Sequence, residues 1–429
     1  MTTLTTLALL ATASTQPIVI HAGVLIPTGG ESPQNEQTVV VSNGRIDRVV
    51  PGFLDAQSLG LASAQVIDLR DHTVLPGLID SHVHILGELG PTSKLDAVQN
   101  SDADEAIAGA QFARRTLLAG FTTVRDVGAG DAIFAVRKGI ATGQIPGPRL
   151  FAAGAIISPT GGHGQVHALR EDVLAVIDSD GVCNGAAQCR EAVRRQVRKG
   201  ADHIKFVATG GVLSETAAGV GKQFFDDEMR AIIETAHALG RKVTAHAHGA
   251  DGMKAALRAG VDSIEHASYA DDEAIALFKK SGAFLVPTLL AGATVAKMAS
   301  TPSSFLPPPV RQKAIAVGPA LQRNFGKVYR AGVKIAFGTD SGVSHHGDNA
   351  QELILMVDAG MPASAALASA TIRAAEHMGI PGIGRIAHGY HADLIAIPGV
   401  LGEDLSPLLN VPFVMKGGVV YKGRGLQSP

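Results

Sequence analysis

The chain has 429 residues, 46% of them hydrophobic and 18% charged, so it is long enough for one large domain with a smaller companion. Its formal net charge is −2, only 4% of its residues are aromatic, and it contains no tryptophan. This balance argues against nucleic-acid binding, which needs a basic surface or a set of stacking aromatic side chains. No run of about 20 apolar residues occurs, so no membrane span is expected.

Residues 1–16 are expected to be a leader or the remnant of a signal peptide. Residues 7–14 (Leu-Ala-Leu-Leu-Ala-Thr-Ala-Ser) resemble the end of an apolar signal segment followed by small residues. The positively charged start of a signal peptide is missing, and the apolar stretch is short. The compartment therefore stays open between the cytoplasm and the periplasm or exterior.

Both ends of the chain predict β-strands rich in β-branched residues. These strands are predicted at residues 18–26, 37–41, 392–397 and 412–421. The sequences Asn-Gly at 43–44 and Lys-Gly-Gly at 416–418 are hairpin signals. We expect the two ends to pair into one small β-domain made of residues 17–75 and 385–429.

Between the two ends, short apolar strands alternate with alanine-rich helices. Eight strands are predicted, at residues 77–84, 122–126, 149–154, 203–207, 242–246, 263–266, 283–288 and 334–340. Helices are predicted at residues 104–119, 187–199, 226–239 and 250–259. This alternation is typical of parallel strands covered by helices and predicts a (β/α)8 barrel over residues 76–384. An open doubly wound sheet is the alternative, disfavoured because no glycine-rich phosphate-binding sequence follows an early strand.

The first of these strands ends in His82-Val83-His84. Alternate residues of a strand face the same side, so both imidazoles point the same way. Two imidazoles on one face can hold one divalent metal ion such as zinc. Further candidate ligands end later strands, in the order Lys205, His246, His266 and Asp340. Active sites of such barrels lie at the carboxyl ends of the strands, so we expect these six side chains to converge.

Lys205 is the most unusual of the six, because it lies within a strand that is expected to be buried. A buried charge is costly unless it is paired or bound to a metal. A desolvated amine with a lowered pKa can take up carbon dioxide to form a carbamate, an anion able to bridge two metals. The alternative is a lysine that keeps its charge, either by extending its ammonium group to solvent or in a salt bridge.

Two pairs of residues have structural interpretations. Arg125 and Asp126, at the end of the second predicted strand, are expected to form a buried ion pair that ties loops together. Cys183 and Cys189 are the two cysteines of the chain. A local disulfide between them would close a very short loop of constrained geometry, so two unpaired thiols are expected.

Residues 75–84 (Leu-Pro-Gly-Leu-Ile-Asp-Ser-His-Val-His) resemble the signature of the metal-dependent amidohydrolase superfamily. The resemblance extends over nearly the whole chain after the leader. It implies a (β/α)8 barrel with a flanking β-sandwich and two divalent metal ions, most often zinc. By the resemblance, His82, His84 and Asp340 hold one metal. His246 and His266 hold the other, and carboxylated Lys205 bridges the two.

Two loops narrow the resemblance to one branch of the superfamily. Residues 158–164 (Ser-Pro-Thr-Gly-Gly-His-Gly) and 209–214 (Thr-Gly-Gly-Val-Leu-Ser) are similar to loops of that branch. It contains Xaa-Pro dipeptidases, enzymes acting on N-acyl amino acids and ochratoxin-hydrolysing amidases, and is related to imidazolonepropionases. The resemblance implies cleavage of an amide whose amine side is an amino acid with a free carboxylate. It also implies a homo-oligomer, since relatives of this branch assemble into large rings or octamers.

The chemistry of such a site predicts individual roles. Two close metals lower the pKa of a bridging water, and the resulting hydroxide attacks the amide carbonyl. Asp340 takes the proton and delivers it to the leaving amine, so Asp340, the Lys205 bridge and His248 form the predicted catalytic group. His248, where many relatives carry tyrosine, would steady the oxyanion or bind the substrate carboxylate. The predicted substrate-binding residues are His163, Ser214, His248 and His345, with His346 as a weaker candidate.

Other functions stay open at this point. One is a cyclic-amide hydrolase, similar to imidazolonepropionase or hydantoinase, or an aromatic deaminase. Deaminases of this superfamily usually work with one metal and lack the lysine bridge, so Lys205 argues against them without excluding cyclic-amide hydrolysis. Another is a non-catalytic scaffold, but such relatives typically lose metal ligands, and all six are present here.

Overall fold

The computed structural model describes residues 16–177, 179–215 and 219–423. Of the expected leader, only Gln16 lies within these ranges. The strands found there are β1 Ile18–Leu25, β2 Gln34–Ser42, β3 Arg45–Pro51, β4 Gln65–Pro76, β5 Leu78–Val83, β6 Phe121–Asp126, β7 Arg149–Ala152, β8 His203–Val207, β9 Lys242–Ala247, β10 Ser263–His266, β11 Phe284–Val286, β12 Lys334–Ile335, β13 Leu394–Pro398, β14 Phe413–Lys416 and β15 Val419–Lys422.

The helices of the same ranges are α1 Ser93–Gln99, α2 Asp102–Leu118, α3 Ala132–Ala141, α4 Glu171–Ile177, α5 Gly185–Lys199, α6 Asp226–Ala238, α7 Ala250–Ala259, α8 Asp272–Ser281, α9 Leu289–Ser300, α10 Pro308–Arg330, α11 Gln351–Asp358, α12 Ala363–Ser369 and α13 Ile372–Met378. A 3-10 helix follows at Ser406–Asn410. Among the described residues, no helix has both the length and the apolar character needed to cross a membrane.

The central strands form two parallel sheets, ordered β5-β6-β7 and β8-β9-β10-β11-β12. Backbone hydrogen bonds join the edges of these sheets on both sides. On one side, the N–H of Ile157 donates to the carbonyl of Lys205 over 2.8 Å. On the other side, the N–H of Asp340 donates to the carbonyl of His82 over 2.8 Å. The predicted α/β architecture, with parallel strands connected by helices, is confirmed.

The helices between these strands have the local signals that the sequence predicts. Helix α7 occupies the predicted residues 250–259, buries Met253 and Leu257 one turn apart, and ends at Gly260 with a φ of 93°. That left-handed conformation favours glycine, because other residues would bring Cβ against the backbone. The buried stripe of α7 faces the parallel strands, as expected for a helix that covers a sheet.

Strands from both ends of the chain join in one mixed sheet, ordered β15-β14-β13-β4-β1-β2-β3. The sheet bends so that its two hairpin turns meet, and a Cβ on Gly44 would lie 2.8 Å from the carbonyl oxygen of Gly417. One apolar core, which includes Ile20, Val39 and Met415, lies on its inner face. The two ends therefore pair as predicted. Their strands are continuous in this sheet because the long strand β4 pairs with both β1 and β13.

Cys183 and Cys189 form a disulfide, with their Cα atoms 5.0 Å apart and both side chains buried. The expectation of two unpaired thiols is wrong. The chain turns at Gly185, where φ is 79°, and enters helix α5. Cys189 lies in the second turn of this helix and comes back beside Cys183, so the short spacing suits a bridge.

Candidate metal centre and active site

The six predicted metal ligands line one cavity of about 380 Å³ at the carboxyl ends of the parallel strands. They come from five positions around the sheets: His82 and His84 from the end of β5, Lys205 from β8, His246 from β9, His266 from β10 and Asp340 from the segment after β12. The structure therefore brings together side chains that are up to 258 positions apart in the sequence, from His82 to Asp340.

Two groups of three ligand atoms are close enough to hold metal ions. A ring nitrogen from each of His82 and His266 and a carboxylate oxygen of Asp340 lie within 4.8 Å of one another. A second group with the same spacing consists of His246, His248 and His266. Imidazole nitrogens with a carboxylate suit zinc and similar divalent metals, so the residues present fit such ions. His248, which the sequence assigned to substrate, is also placed where it can bind a metal.

His84 lies beside the first group, with Nε2 3.2 Å from Oδ1 of Asp340. Its Nδ1 donates a hydrogen bond to the carbonyl of Gly128 over 2.7 Å. His266 is held in a similar way, because its Nδ1 donates to Oγ1 of Thr288 over 2.6 Å. These contacts fix the rings through one nitrogen and leave the other for the cavity, as metal-binding histidines require.

His82 is held by a buried carboxylate that the sequence analysis did not single out. Its Nδ1 donates to Oε2 of Glu265 over 2.5 Å. Arg125 holds the same carboxylate through Nη2, 3.0 Å from Oε1, and donates from Nε to the carbonyl of Ser81 over 2.6 Å. Burial alone would raise the pKa of Glu265, but the Arg125 charge and the His82 contact hold it well below its usual range. Glu265 is therefore an anion that orients His82.

The sequence contained a signal for Glu265. A charged residue inside the short strand Ser-Ile-Glu-His is as unusual as Lys205 in its own strand, and the same reasoning about buried charge applies to both. The predicted site includes His266 and not Glu265, and adjacent strand residues normally face opposite sides. The side chains of Glu265 and His266 both reach the interior because the backbone at His266 leaves the extended conformation, with a φ of 73°.

The predicted ion pair between Arg125 and Asp126 is wrong. Arg125 pairs instead with Glu265. Adjacent residues of a strand point to opposite sides, which separates the two side chains. Asp126 accepts hydrogen bonds from the backbone N–H groups of Ile85, over 2.6 Å, and Gly128, over 3.1 Å. It supports the loop that follows β5 and has no ion-pair partner among the described residues.

Lys205 is 3% exposed and lines the cavity. Burial lowers the pKa of its amine to about 8, because the charged ammonium is poorly solvated there. Its Nζ takes part in none of the ion pairs formed by the described residues. A desolvated, unpaired amine of this kind has the properties that carbamate formation needs.

Backbone strain collects at the same strand ends. His266, Ala267, Thr288 and Asp340 have φ angles of 73°, 55°, 55° and 60°, although none of them is glycine. Such conformations cost about 1–3 kcal/mol each and persist where the surrounding structure enforces them. Their clustering around the cavity marks this end of the sheets as a functional site.

Of the predicted substrate-binding residues, His163, His248 and Ser214 lie at the cavity or beside it. Nδ1 of His163 lies 2.5 Å from Oγ of Ser214, and its ring centroid is 4.3 Å from that of His246. Nδ1 of His248 lies 2.7 Å from Oγ of Ser268. Burial lowers the pKa of His163 to about 3 and that of His248 to about 4, so both imidazoles are neutral near pH 7.

The structure places His345 outside the cavity. Its side chain is 68% exposed, and Nδ1 lies 3.4 Å from Oε2 of Glu88. The turn after Asp340 directs it to solvent. His346 is buried beside the cavity, and its Nε2 lies 3.0 Å from the carbonyl of Gly87.

The remaining wall of the cavity is apolar. Val212, Val295 and Val317 line it and belong to one apolar cluster, formed by the loop after β8 and by helices α9 and α10. No element is predicted for residues 289–330, although the spacing of their buried residues is helical. An apolar wall opposite a polar, ligand-rich wall is typical of a site for small organic molecules.

The fold and the ligand set define a metal-dependent hydrolase, and comparison with known proteins identifies its family. Residues 73–423 match the amidohydrolase family, and the chain belongs to it. It is 33% identical over 444 residues to the ochratoxinase of Aspergillus niger, covering 98% of this chain and 90% of that one.

Solved structures show the same similarity. One is a Xaa-Pro dipeptidase with methionine bound in its active site, with a TM-score of 0.89 and 42% identity, covering 95% of this chain and 100% of that one. Another is a prolidase complexed with N-methylphosphonate-L-proline, with a TM-score of 0.86 and 32% identity over the same shares. The predicted branch of the superfamily is confirmed, and the chain is a hydrolase that acts on amide bonds.

Proposed function

We propose that this enzyme releases an amino acid with a free carboxylate from an amide. N-acyl amino acids and Xaa-Pro dipeptides are its substrate class, including ochratoxin A, which would give ochratoxin alpha and phenylalanine. The observation that carries the proposal is the cavity in which six ligand-type side chains face an apolar wall. The names of its relatives, an ochratoxinase, a Xaa-Pro dipeptidase and a prolidase, support the same class.

The eight parallel strands would form a closed (β/α)8 barrel, which the hydrogen bonds at both edges of the two sheets support. His82, His84 and Asp340 would hold one divalent metal, and His246 and His266 a second. Lys205, carboxylated at Nζ, would bridge them. When bound, two zinc ions supply Lewis acidity to the scissile carbonyl and lower the pKa of a water molecule.

Asp340 is the proposed proton carrier. Burial alone would raise the pKa of its carboxyl group, but His82 and His84 hold it well below its usual range, so it is ionised at neutral pH. Its Oδ1 lies 3.4 Å from Nε2 of His82 and 3.2 Å from Nε2 of His84. In this role Asp340 accepts a proton from the attacking water and passes it to the leaving amine.

His163 and His248 would orient the substrate. Both are neutral, and each has Nδ1 fixed by a serine hydroxyl, Ser214 for His163 and Ser268 for His248. A neutral imidazole with one nitrogen occupied can present the other as a donor to a substrate oxygen. The apolar wall formed by Val212 and Val295 would take the acyl group, or the side chain of the amino acid.

We further propose that the protein works in an oxidising compartment. The Cys183–Cys189 disulfide supports this, because such bonds persist in the periplasm and outside cells. Fractionation of the source cells tests the proposal, and recovery in the cytoplasm with both thiols reduced would contradict it.

The expected homo-oligomer stays a prediction that light scattering tests.

A substrate panel tests the proposed activity. Zinc-loaded protein is incubated with Xaa-Pro dipeptides, N-acetyl amino acids, ochratoxin A and hydantoins, and free amino acids are measured by mass spectrometry. We expect release from the linear amides and loss of activity after chelation. Ring opening of hydantoins alone, or release of ammonia alone, would instead assign a cyclic-amide hydrolase or a deaminase.

A further inference from the structure

Lys313 connects helix α10 with the loop that follows β8. Its Nζ donates to the carbonyl of Gly211 over 2.9 Å and also to the carbonyl of Ser214. It takes part in none of the ion pairs among the described residues. An ammonium group has three donors and no acceptor, so these two carbonyls are well matched to it. Lys313 therefore holds residues 211–214 from both ends.

This loop in turn holds His163. Ser214 is 2% exposed, and its Oγ lies 2.5 Å from Nδ1 of His163. The backbone N–H of His163 donates to Oε1 of Gln223 over 2.9 Å. The ring and the backbone of His163 are thus fixed separately, and the ring depends on the position of Ser214.

Gly211 lies directly against the same ring. A Cβ at position 211 would come within 2.1 Å of Cε1 of His163 and 2.2 Å of Nε2, closer than any side chain tolerates. On its other side, the ring has its centroid 4.3 Å from that of His246. His163 is therefore enclosed between the loop that Lys313 holds and a candidate metal ligand.

We propose that Lys313 is a positioning residue for amide hydrolysis. It fixes residues 211–214 so that the hydroxyl of Ser214 donates to Nδ1 of His163 and Nε2–H of His163 faces the cavity. Nε2 makes no hydrogen bond with the residues that the structure describes, and His163 lines the cavity. The part of this proposal that concerns substrate rests on the proposed function, in which His163 donates to a substrate oxygen.

A double-mutant cycle tests the proposal. Lys313→Met keeps the apolar stem and removes the donors. We expect it to lower kcat/KM about 10- to 100-fold, because small misplacements of an orienting group are costly. In a His163→Ala background, the same substitution should have no further effect. Losses that multiply in the double variant would overturn the proposal, since Lys313 would then act independently of His163.

Lys327→Met is the matched control. Lys327 lies on the same helix and pairs with the exposed Asp272 over 2.8 Å, far from the loop contacts described here. It should leave kcat/KM unchanged. An equal loss in the two lysine variants would assign the effect to the stability of α10 and overturn the proposal.

A second variant and a second measurement keep the test independent of folding and of substrate. Gly211→Ala should displace the ring and match His163→Ala in kcat/KM. Carbethoxylation of His163, followed by peptide mass spectrometry in metal-free protein, should be faster in Lys313→Met than in Lys327→Met. An unchanged rate would overturn the proposal that Lys313 positions His163. If the wild type cleaves no amide of the panel, the proposed function fails, while the carbethoxylation rate still decides whether Lys313 positions His163.

Discussion

Nδ1 of His82 lies 2.5 Å from Oε2 of Glu265, and both side chains are buried. The two residues are 183 positions apart and come from strands β5 and β10. Because this contact occupies Nδ1, the other ring nitrogen of His82 faces Asp340. The candidate metal centre is thus coupled to a buried ion pair beneath it, between Glu265 and Arg125.

Glu265→Gln should weaken metal binding. The amide removes the negative charge that orients His82 and makes its free nitrogen more basic. We expect affinity for zinc to fall about 10- to 100-fold, the usual effect of losing such a partner. Equilibrium competition with a chelator measures this. Glu234→Gln, at an exposed residue of α6, is the control, and equal affinities in the two variants would contradict the role of Glu265.

The pKa of the Lys205 amine predicts how metal loading depends on pH. Carbon dioxide reacts with the neutral amine, and burial lowers the pKa of Lys205 to about 8 in the metal-free protein. The neutral fraction therefore rises about tenfold per pH unit below this pKa and levels off above it. At fixed dissolved carbon dioxide, the rate of zinc loading should follow the same curve. A rate that is flat or falls with pH would contradict carboxylation.

Lys205→Ala provides the matching control for that experiment. It should lose at least one of the two zinc ions, measured by elemental analysis, because no carbamate can form. Its loading should also be insensitive to bicarbonate. Two tightly bound ions in this variant would show that the second metal needs no lysine bridge.

His248→Ala separates two roles for this residue. If His248 orients substrate, kcat/KM should fall about 100-fold, as for loss of a donor to a developing oxyanion, while both metals stay bound. Its ring nitrogen also lies within 4.8 Å of ligand atoms of His246 and His266. Loss of one zinc in this variant would therefore assign His248 to the metal centre instead.

The Cys183–Cys189 disulfide should contribute to stability. A bridge across so short a loop removes less unfolded-state entropy than a bridge across a long one. The expected stabilisation is about 2 kcal/mol. Replacement of both cysteines by alanine should lower the free energy of unfolding by this amount in urea titrations. Reductant should destabilise the wild type to the same extent and leave the double variant unchanged. An equal response of both proteins to reductant would contradict the assignment.

The positions of the candidate ligands were predictable because strand geometry is local. In His82-Val83-His84 the alternation of side chains places both imidazoles on one face, and Lys205 is unusual by burial alone. The contacts that hold these residues are not local. Glu265 reaches His82 across the interior of the sheets, and Lys313 reaches the β8 loop from a helix that was not assigned, so neither followed from spacing.

The terminal sheet and the disulfide also combine local features that the sequence predicts with non-local contacts that it does not. The β-branched runs and the two glycine-containing turns predicted strands that pair between the ends of the chain. They did not predict that β4 would pair on both edges and make one sheet, because its alternation is broken by four polar residues at 70–73. The bridge between Cys183 and Cys189 depends on the turn at Gly185, which the spacing of the cysteines alone did not reveal.

Whether this cavity is a two-metal amidase site can be decided by stepwise addition of zinc to metal-free protein. Release of an amino acid from an N-acyl amino acid or Xaa-Pro substrate is measured at each step. Six ligand-type side chains around one cavity predict no release without metal and maximal release at about two zinc ions per chain. Full activity in the metal-free protein, or no amino acid release at any zinc level, would contradict it.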